Sequence, residues 1–125
     1  MKIIHSEKAP KAIGPYSQAV LAGKTLYLSG QTPLDPSTGK LVEGDISAQA
    51  RQVFENLAAV LAAADAGFAQ VVRVGIYLTD LGNFAAVNEV MKQYFAEPYP
   101  ARSTIGVAAL PLGAAVEIDL VAVLG

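Results

Sequence analysis

Two charged residues stand where charge is either expensive or stiffly held, and together they point to chemistry on a small acid. Glu117 lies at the start of the apolar run Val116-Glu117-Ile118-Asp119-Leu120-Val121-Ala122-Val123, where burying a carboxylate is costly unless it is paired or hydrogen-bonded. Its plainer reading is a solvent-facing residue at a strand end, and that reading is stronger still for Asp119 on the same face. Arg102 is one of three arginines and follows Tyr99-Pro100-Ala101. A guanidinium on a proline-stiffened backbone is well suited to gripping a planar carboxylate through two parallel hydrogen bonds. The plainer reading here is a structural ion pair with a buried acid such as Glu117 itself.

Three further polar positions ask for a reason. Gly14-Pro15-Tyr16-Ser17-Gln18 is a turn carrying a tyrosine, which reads first as a buried anchor with its hydroxyl satisfied. Ser29-Gly30-Gln31-Thr32 ends a strand with small polar residues and a glycine that lets other groups approach closely, although a plain turn explains it equally well. Asn88 falls inside a helical pattern, where asparagine is not preferred, and facing water would account for it.

Much other chemistry is excluded. Without cysteine there is no disulfide, thiolate nucleophile or thiolate metal site. The one histidine, His5, would have to join a Ser-His-Asp triad from an N-terminal strand or tail, so it reads as an ordinary surface residue. Zinc and iron lack ligands, the carboxylates are scattered, and no metal or other cofactor is expected. Gly23-Lys24-Thr25 looks like the end of a phosphate loop, but Gln18 stands where that loop needs glycine. Nine basic against eleven acidic residues give net charge -2 and a pI near 5.2, which weighs against nucleic acid as the main partner. Charge interrupts Met1 to Lys8 before a signal peptide could form, and the uncharged stretch from Ser103 to Val116 is shorter than the roughly 20 residues that span a bilayer. A soluble, cytoplasmic protein with no membrane partner is expected.

The elements that must position these residues follow from hydrophobic spacing. With 125 residues the chain suits one core, so residues 1–125 read as a single domain. Leu26 and Leu28 alternate with Tyr27 and Ser29 as a strand, followed by a loop over 33–39. Asp45 can cap a helix whose stripe runs Ile46, Ala50, Val53, Leu57, Val60, Leu61 and Ala64, with Gly67 as its stop. Val72, Val74, Ile76 and Leu78 alternate with Val71, Arg73, Gly75 and Tyr77 as the next strand, apolar on one side and mixed on the other. A second helix from near Asn83 turns Phe84, Val87, Met91 and Tyr94 or Phe95 inward and ends before Pro98. Strands over 102–107 and 116–123 complete the order. Two helices cover one face of such a sheet. The other face carries Tyr27, Arg73, Tyr77, Val121 and Val123, too apolar to be fully wet, and only 16% of residues are charged against about 25% usually. Self-association is therefore expected to bury that face; a sheet folded on itself is the alternative.

Several separated segments, read together, resemble one family. Ile13-Gly14-Pro15-Tyr16-Ser17-Gln18-Ala19, Ser29-Gly30-Gln31, Gln49-Ala50-Arg51-Gln52 to Asn56-Leu57, Tyr77-Leu78-Thr79-Asp80-Leu81, Val87-Asn88, Tyr99-Pro100-Ala101-Arg102-Ser103 and Val116-Glu117-Ile118 resemble the RidA/YjgF family of reactive-intermediate deaminases, also called the endoribonuclease L-PSP family. The resemblance runs in order from about residue 9 to the C-terminus. It implies an α+β fold of the chorismate-mutase-like kind: a six-stranded mixed sheet with two helices packed on one face, assembled as a homotrimer with active sites between subunits. It also implies hydrolysis of enamine and imine intermediates such as 2-aminoacrylate and 2-iminopropanoate to 2-oxo acids and ammonia. Tyr16, Ser29, Asn88, Arg102 and Glu117 fall on the family's pocket positions. Thr104 stands where many relatives have cysteine, so thiol-dependent activity is not available here, while main-chain groups there can still line the pocket.

Such a reaction makes modest demands. An imine carbon beside a carboxylate is already electrophilic, so water needs only to be placed and relieved of a proton. Arg102 is then the expected carboxylate clamp and Glu117 the expected base and proton donor, with Tyr16, Ser29, Asn88 and Thr104 as substrate-binding positions. This reading requires Arg102 to be free in a cleft that also holds Glu117. Two rivals are single-strand RNA cleavage or translation inhibition, and a module that binds small carboxylates without turning them over.

Overall fold

The structure is a computed structural model that describes all 125 residues. Its elements are β1 (Lys2–Ile4), β2 (Ala19–Ala22), β3 (Thr25–Gln31), α1 (Ile46–Ala63), β4 (Val71–Leu78), α2 (Phe84–Met91), β5 (Ala101–Gly106) and β6 (Val116–Val123). The strands form one open sheet in the order β1-β2-β3-β6-β4-β5, so the alternative of a sheet folded on itself does not hold. Only β4 and β5 are parallel, as a helical crossover through α2 requires; the remaining neighbours are antiparallel.

The long helix starts as the sequence predicts, with the Asp45 carboxylate accepting from the Ala48 N–H at 2.9 Å. Its stop differs. The chain turns at Asp65, whose φ is +54°; the Ala66 N–H reaches the Leu61 carbonyl and the Asp65 N–H that of Ala62, closing a Schellman cap on an aspartate. Gly67 lies beyond in extended backbone. The second helix is also shorter than the pattern predicts. It ends at Met91, and tight turns from Gln93 to Phe95 carry Tyr94 and Phe95 onto Phe54 and Phe68, with ring centroids 4.9–6.2 Å apart.

The core lies between the helices and one sheet face: Leu26, Leu28, Val74, Ile76, Leu78, Ile118 and Leu120 against Val53, Phe54, Leu57 and Val60. Strand β4 departs from simple alternation at its start, where a register shift between Val71 and Arg73 leaves Val71 buried and Val72 exposed, reversing their expected roles. Such a bulge inserts one residue opposite none. The opposite sheet face is uncovered within one chain, leaving Tyr27 50%, Ile105 50% and Val123 43% exposed.

Register decides which residues can meet. Arg102 pairs with Val74 and Thr104 with Ile76, both core-facing positions, so Arg102 and Thr104 project on the helix side of the sheet. Glu117 pairs with Tyr77, and Tyr77 with Ile105, on the uncovered side.

Candidate active site

Glu117 sits in a cleft of about 450 Å³ that Tyr16, Ser29, Gly30, Gln31 and Leu112 also line. The cleft is built from backbone held by buried amides. Gln18 is 2% exposed; its side-chain oxygen accepts from the Ser6 N–H at 2.6 Å and its NH2 donates to the Pro10 carbonyl at 2.8 Å. Asn56, buried on α1, donates to the carbonyls of Thr32 and Leu34 at 3.3 and 2.8 Å, tying down the segment that follows β3. Hydrophobic spacing alone does not reveal either buried amide as part of the site. The visible signal was an asparagine inside the apolar stripe of α1, which only a buried partner justifies.

The carboxylate of Glu117 lies directly over Gly30, where a Cβ would fall on Oε2 and 2.9 Å from Cδ. Gly30 therefore makes room for the Glu117 side chain. Burial pushes the Glu117 carboxyl above the ordinary glutamate range, and repulsion from Asp119 adds to the rise. Asp119 in turn accepts from the Tyr77 hydroxyl at 3.0 Å. Ser29 donates its hydroxyl to the Ser17 carbonyl at 2.6 Å, which leaves its oxygen as an acceptor toward the cleft. Tyr16 is no buried anchor: it is 51% exposed, and its hydroxyl accepts from the Ile13 N–H at 3.4 Å.

Arg102 lines a different, more open concavity of about 510 Å³, shared with Asn88, Met91, Lys92 and Tyr99. Its Nη1 donates to Asn88 Oδ1 at 2.5 Å and approaches Met91 Sδ at 3.7 Å, and its Cζ stands 5.1 Å from the Phe84 ring centroid. The ion pairs of the chain are His5–Glu7 and Glu89–Lys92, so Arg102 is not neutralised by Glu117 or any other acid. Asn88 faces the guanidinium, and Phe84, expected to point inward, is 41% exposed. Two residues along β5, the Thr104 hydroxyl is buried with no hydrogen-bond partner.

Within one chain the structure thus groups Tyr16, Ser29 and Glu117 on one side and Asn88 and Arg102 on the other, with no cavity lined by both charged residues. Opposite faces of β4 and its neighbours separate them.

The fold is that of a small α+β protein of the endoribonuclease L-PSP class, whose family model matches residues 6–124. The chain belongs to this family, the RidA/YjgF family. It is 61% identical over 124 residues to Protein DfrA of Myxococcus xanthus, covering 98% of this chain and 95% of that one. It is 49% identical to the 2-iminobutanoate/2-iminopropanoate deaminase of Bos taurus, covering 99% of this chain and 90% of the relative. The crystal structure of RidA from an Antarctic Psychrobacter superimposes with a TM-score of 0.95 at 48% identity, over 99% of this chain and all of that one. No helix is long and apolar enough to cross a membrane.

Proposed function

We propose that this protein is a hydrolytic deaminase of 2-imino acids and their enamine tautomers, releasing 2-oxo acids and ammonia from sites completed between subunits of a homotrimer. The observation that carries the reading is the pairing of two half-sites: an unneutralised guanidinium on the helix side of the sheet and a desolvated carboxylate on the other. The mammalian deaminases at 48–49% identity over nearly the whole chain support the substrate class. The uncovered face with Tyr27, Ile105 and Val123 supports assembly with further copies.

In this mechanism Arg102 takes the substrate carboxylate through two charge-assisted hydrogen bonds. Glu117 holds water near the carbon of the protonated imine and accepts its proton as the C–O bond forms; it passes that proton to the nitrogen and takes the remaining hydroxyl proton as the C=O bond forms and ammonia leaves with the C–N electron pair. The raised affinity of Glu117 for a proton suits these transfers. Ser29, with its hydroxyl hydrogen already committed, can accept from the protonated imine nitrogen.

The test is complementation between two inactive variants. Arg102→Ala removes two bonds of about 1.5–3 kcal/mol each and should lower kcat/KM about 100-fold or more without unfolding an exposed site. Glu117→Gln should fall comparably, since a positioned general base contributes about 10²–10⁴-fold. Dissociated and reassembled together, they should regain about a quarter of wild-type turnover, the share of interfaces carrying both native residues in a randomly mixed ring. No recovery on verified mixed assembly would place both residues in one subunit's site. Near-normal ammonia release by Arg102→Ala would remove the clamp altogether.

A further inference from the structure

Resting on the deaminase reading, the sharpest unexplained geometry is the way helix α2 holds Arg102. Phe84, Asn88 and Met91 occur at steps of four and three, one stripe of the helix. That spacing reads as core, yet the Phe84 side chain remains 41% exposed with its ring under the guanidinium at 5.1 Å. Asn88 offers a carbonyl oxygen at 2.5 Å and Met91 a thioether sulfur at 3.7 Å, both to the same nitrogen, Nη1. A guanidinium Nη carries two N–H bonds, and here that nitrogen has two acceptors. None of the three supports carries charge, so the arginine is held while its positive charge stays available.

We propose that Phe84 is a positioning residue that fixes the plane of Arg102 while Asn88 and Met91 occupy Nη1, leaving the edge formed by Nε and Nη2 to receive the substrate carboxylate side-on. An arginine free to spin would present either edge and would lose orientation on binding; one held over an aromatic ring and tied at one nitrogen is pre-organised for a planar acid. The arrangement also assigns Asn88 a role different from direct substrate contact. Its Oδ1 faces Arg102, because a guanidinium offers only donors, and its NH2 is consequently turned away from that group.

The experiment measures binding of 2-oxobutanoate, a stable 2-oxo acid, to the assembled protein by calorimetry, alongside Arg102 side-chain NMR. Phe84→Leu keeps the apolar bulk and removes the ring face; affinity should fall about two- to fivefold, the size of an exposed cation–π contact. KM should rise by a similar factor with kcat little changed, and Phe84→Tyr should restore both. In the wild type, the Nε–H signal of Arg102 should move on adding 2-oxobutanoate while the Nη1 signals stay in place. Wild-type affinity in Phe84→Leu, or failure of Phe84→Tyr to restore it, removes the role of Phe84. Movement at Nη1 in place of Nε overturns the side-on geometry. If Arg102→Ala binds 2-oxobutanoate as tightly as wild type, the carboxylate-clamp reading fails instead, and the deaminase proposal with it.

Discussion

Around Glu117 the protein arranges backbone: buried Gln18 and Asn56 pin two segments, Gly30 clears a space, and a carboxylate is pressed into it at the cost of desolvation. Around Arg102 it arranges side chains from a single helical stripe against an exposed edge strand, and the charge stays in the open. On the proposed mechanism the difference follows from the separate task of each charge. A base works best when its proton affinity is raised, which burial accomplishes for a carboxylate. A carboxylate clamp works best when its charge is unspent and its plane is fixed, which uncharged supports accomplish. The Glu117 cleft holds no guanidinium, and the one acid beside Arg102, Glu89, is occupied by Lys92.

The largest expected effect that breaks this contrast comes from Gly30→Ala. The added methyl meets the mobile end of the Glu117 side chain and no backbone, and Gly30 has no positive φ to strain. The fold should survive while the carboxylate is pushed aside, with at least about tenfold loss of the rate a positioned base contributes. In the Glu117→Gln background the same substitution should add little, because the group it displaces is already inert. A double-mutant cycle on kcat/KM checks this; full additivity would detach Gly30 from Glu117.

How much of this contrast was legible beforehand differs between the two halves. Alternation in β6 and the proline-led approach to β5 are local signals, and they single out Glu117 and Arg102 because buried charge and rigid backbone are unusual wherever they occur. The six-stranded sheet with two helices was legible largely through family resemblance, with the long helix and the alternating strands supplied by periodicity. The early ends of α1 and α2 were not, since Asp65 adopts a left-handed turn that glycine usually takes, and Tyr94 and Phe95 obey the aromatic cluster rather than the helical repeat. Separation of the two charges across the sheet was also hidden. It depends on the pairing of β4 with both β5 and β6, and pairing partners leave no mark in either strand alone. Phe84 departs from its expected inward position for a related reason: the same spacing describes a core stripe and an arginine cradle, and only the parallel neighbour β5 distinguishes them.

A middling effect sharpens the contrast through pH. The folded-state proton affinity of Glu117 lies above its unfolded value near 4.5, so the protonated carboxyl is favoured by folding. Its stabilising contribution is complete below about pH 4 and is lost as pH rises through the raised folded value. Glu117→Gln, permanently neutral, should therefore match wild type in acid and exceed it in Tm at neutral pH. Asp119→Asn should shift the same crossover toward acid, since it removes the second cause of the rise. Arg102→Ala, on the exposed side, should show no such crossover. Equal pH dependence of Tm in wild type and Glu117→Gln would show that the cleft does not desolvate its carboxylate.

The smallest effect concerns the one buried polar atom that the Arg102 side leaves without a partner, the Thr104 hydroxyl. Replacing threonine by valine keeps the branched shape and removes a donor that loses its hydration without regaining a bond. Relief of that desolvation should raise stability by about 1 kcal/mol, and in a β-strand the exchange carries no propensity penalty. Two explanations of the orphan hydroxyl then separate in one variant. If it is only a tolerated defect, Thr104→Val gains stability and keeps its kcat/KM. If the hydroxyl faces substrate once a second subunit closes the cleft, as its place two residues from Arg102 on the same strand face suggests, the gain in Tm comes with a several-fold loss of turnover. The Arg102 side would then resemble the Glu117 side in keeping an unsatisfied group for its ligand, and the contrast between the two halves would reduce to one of exposure.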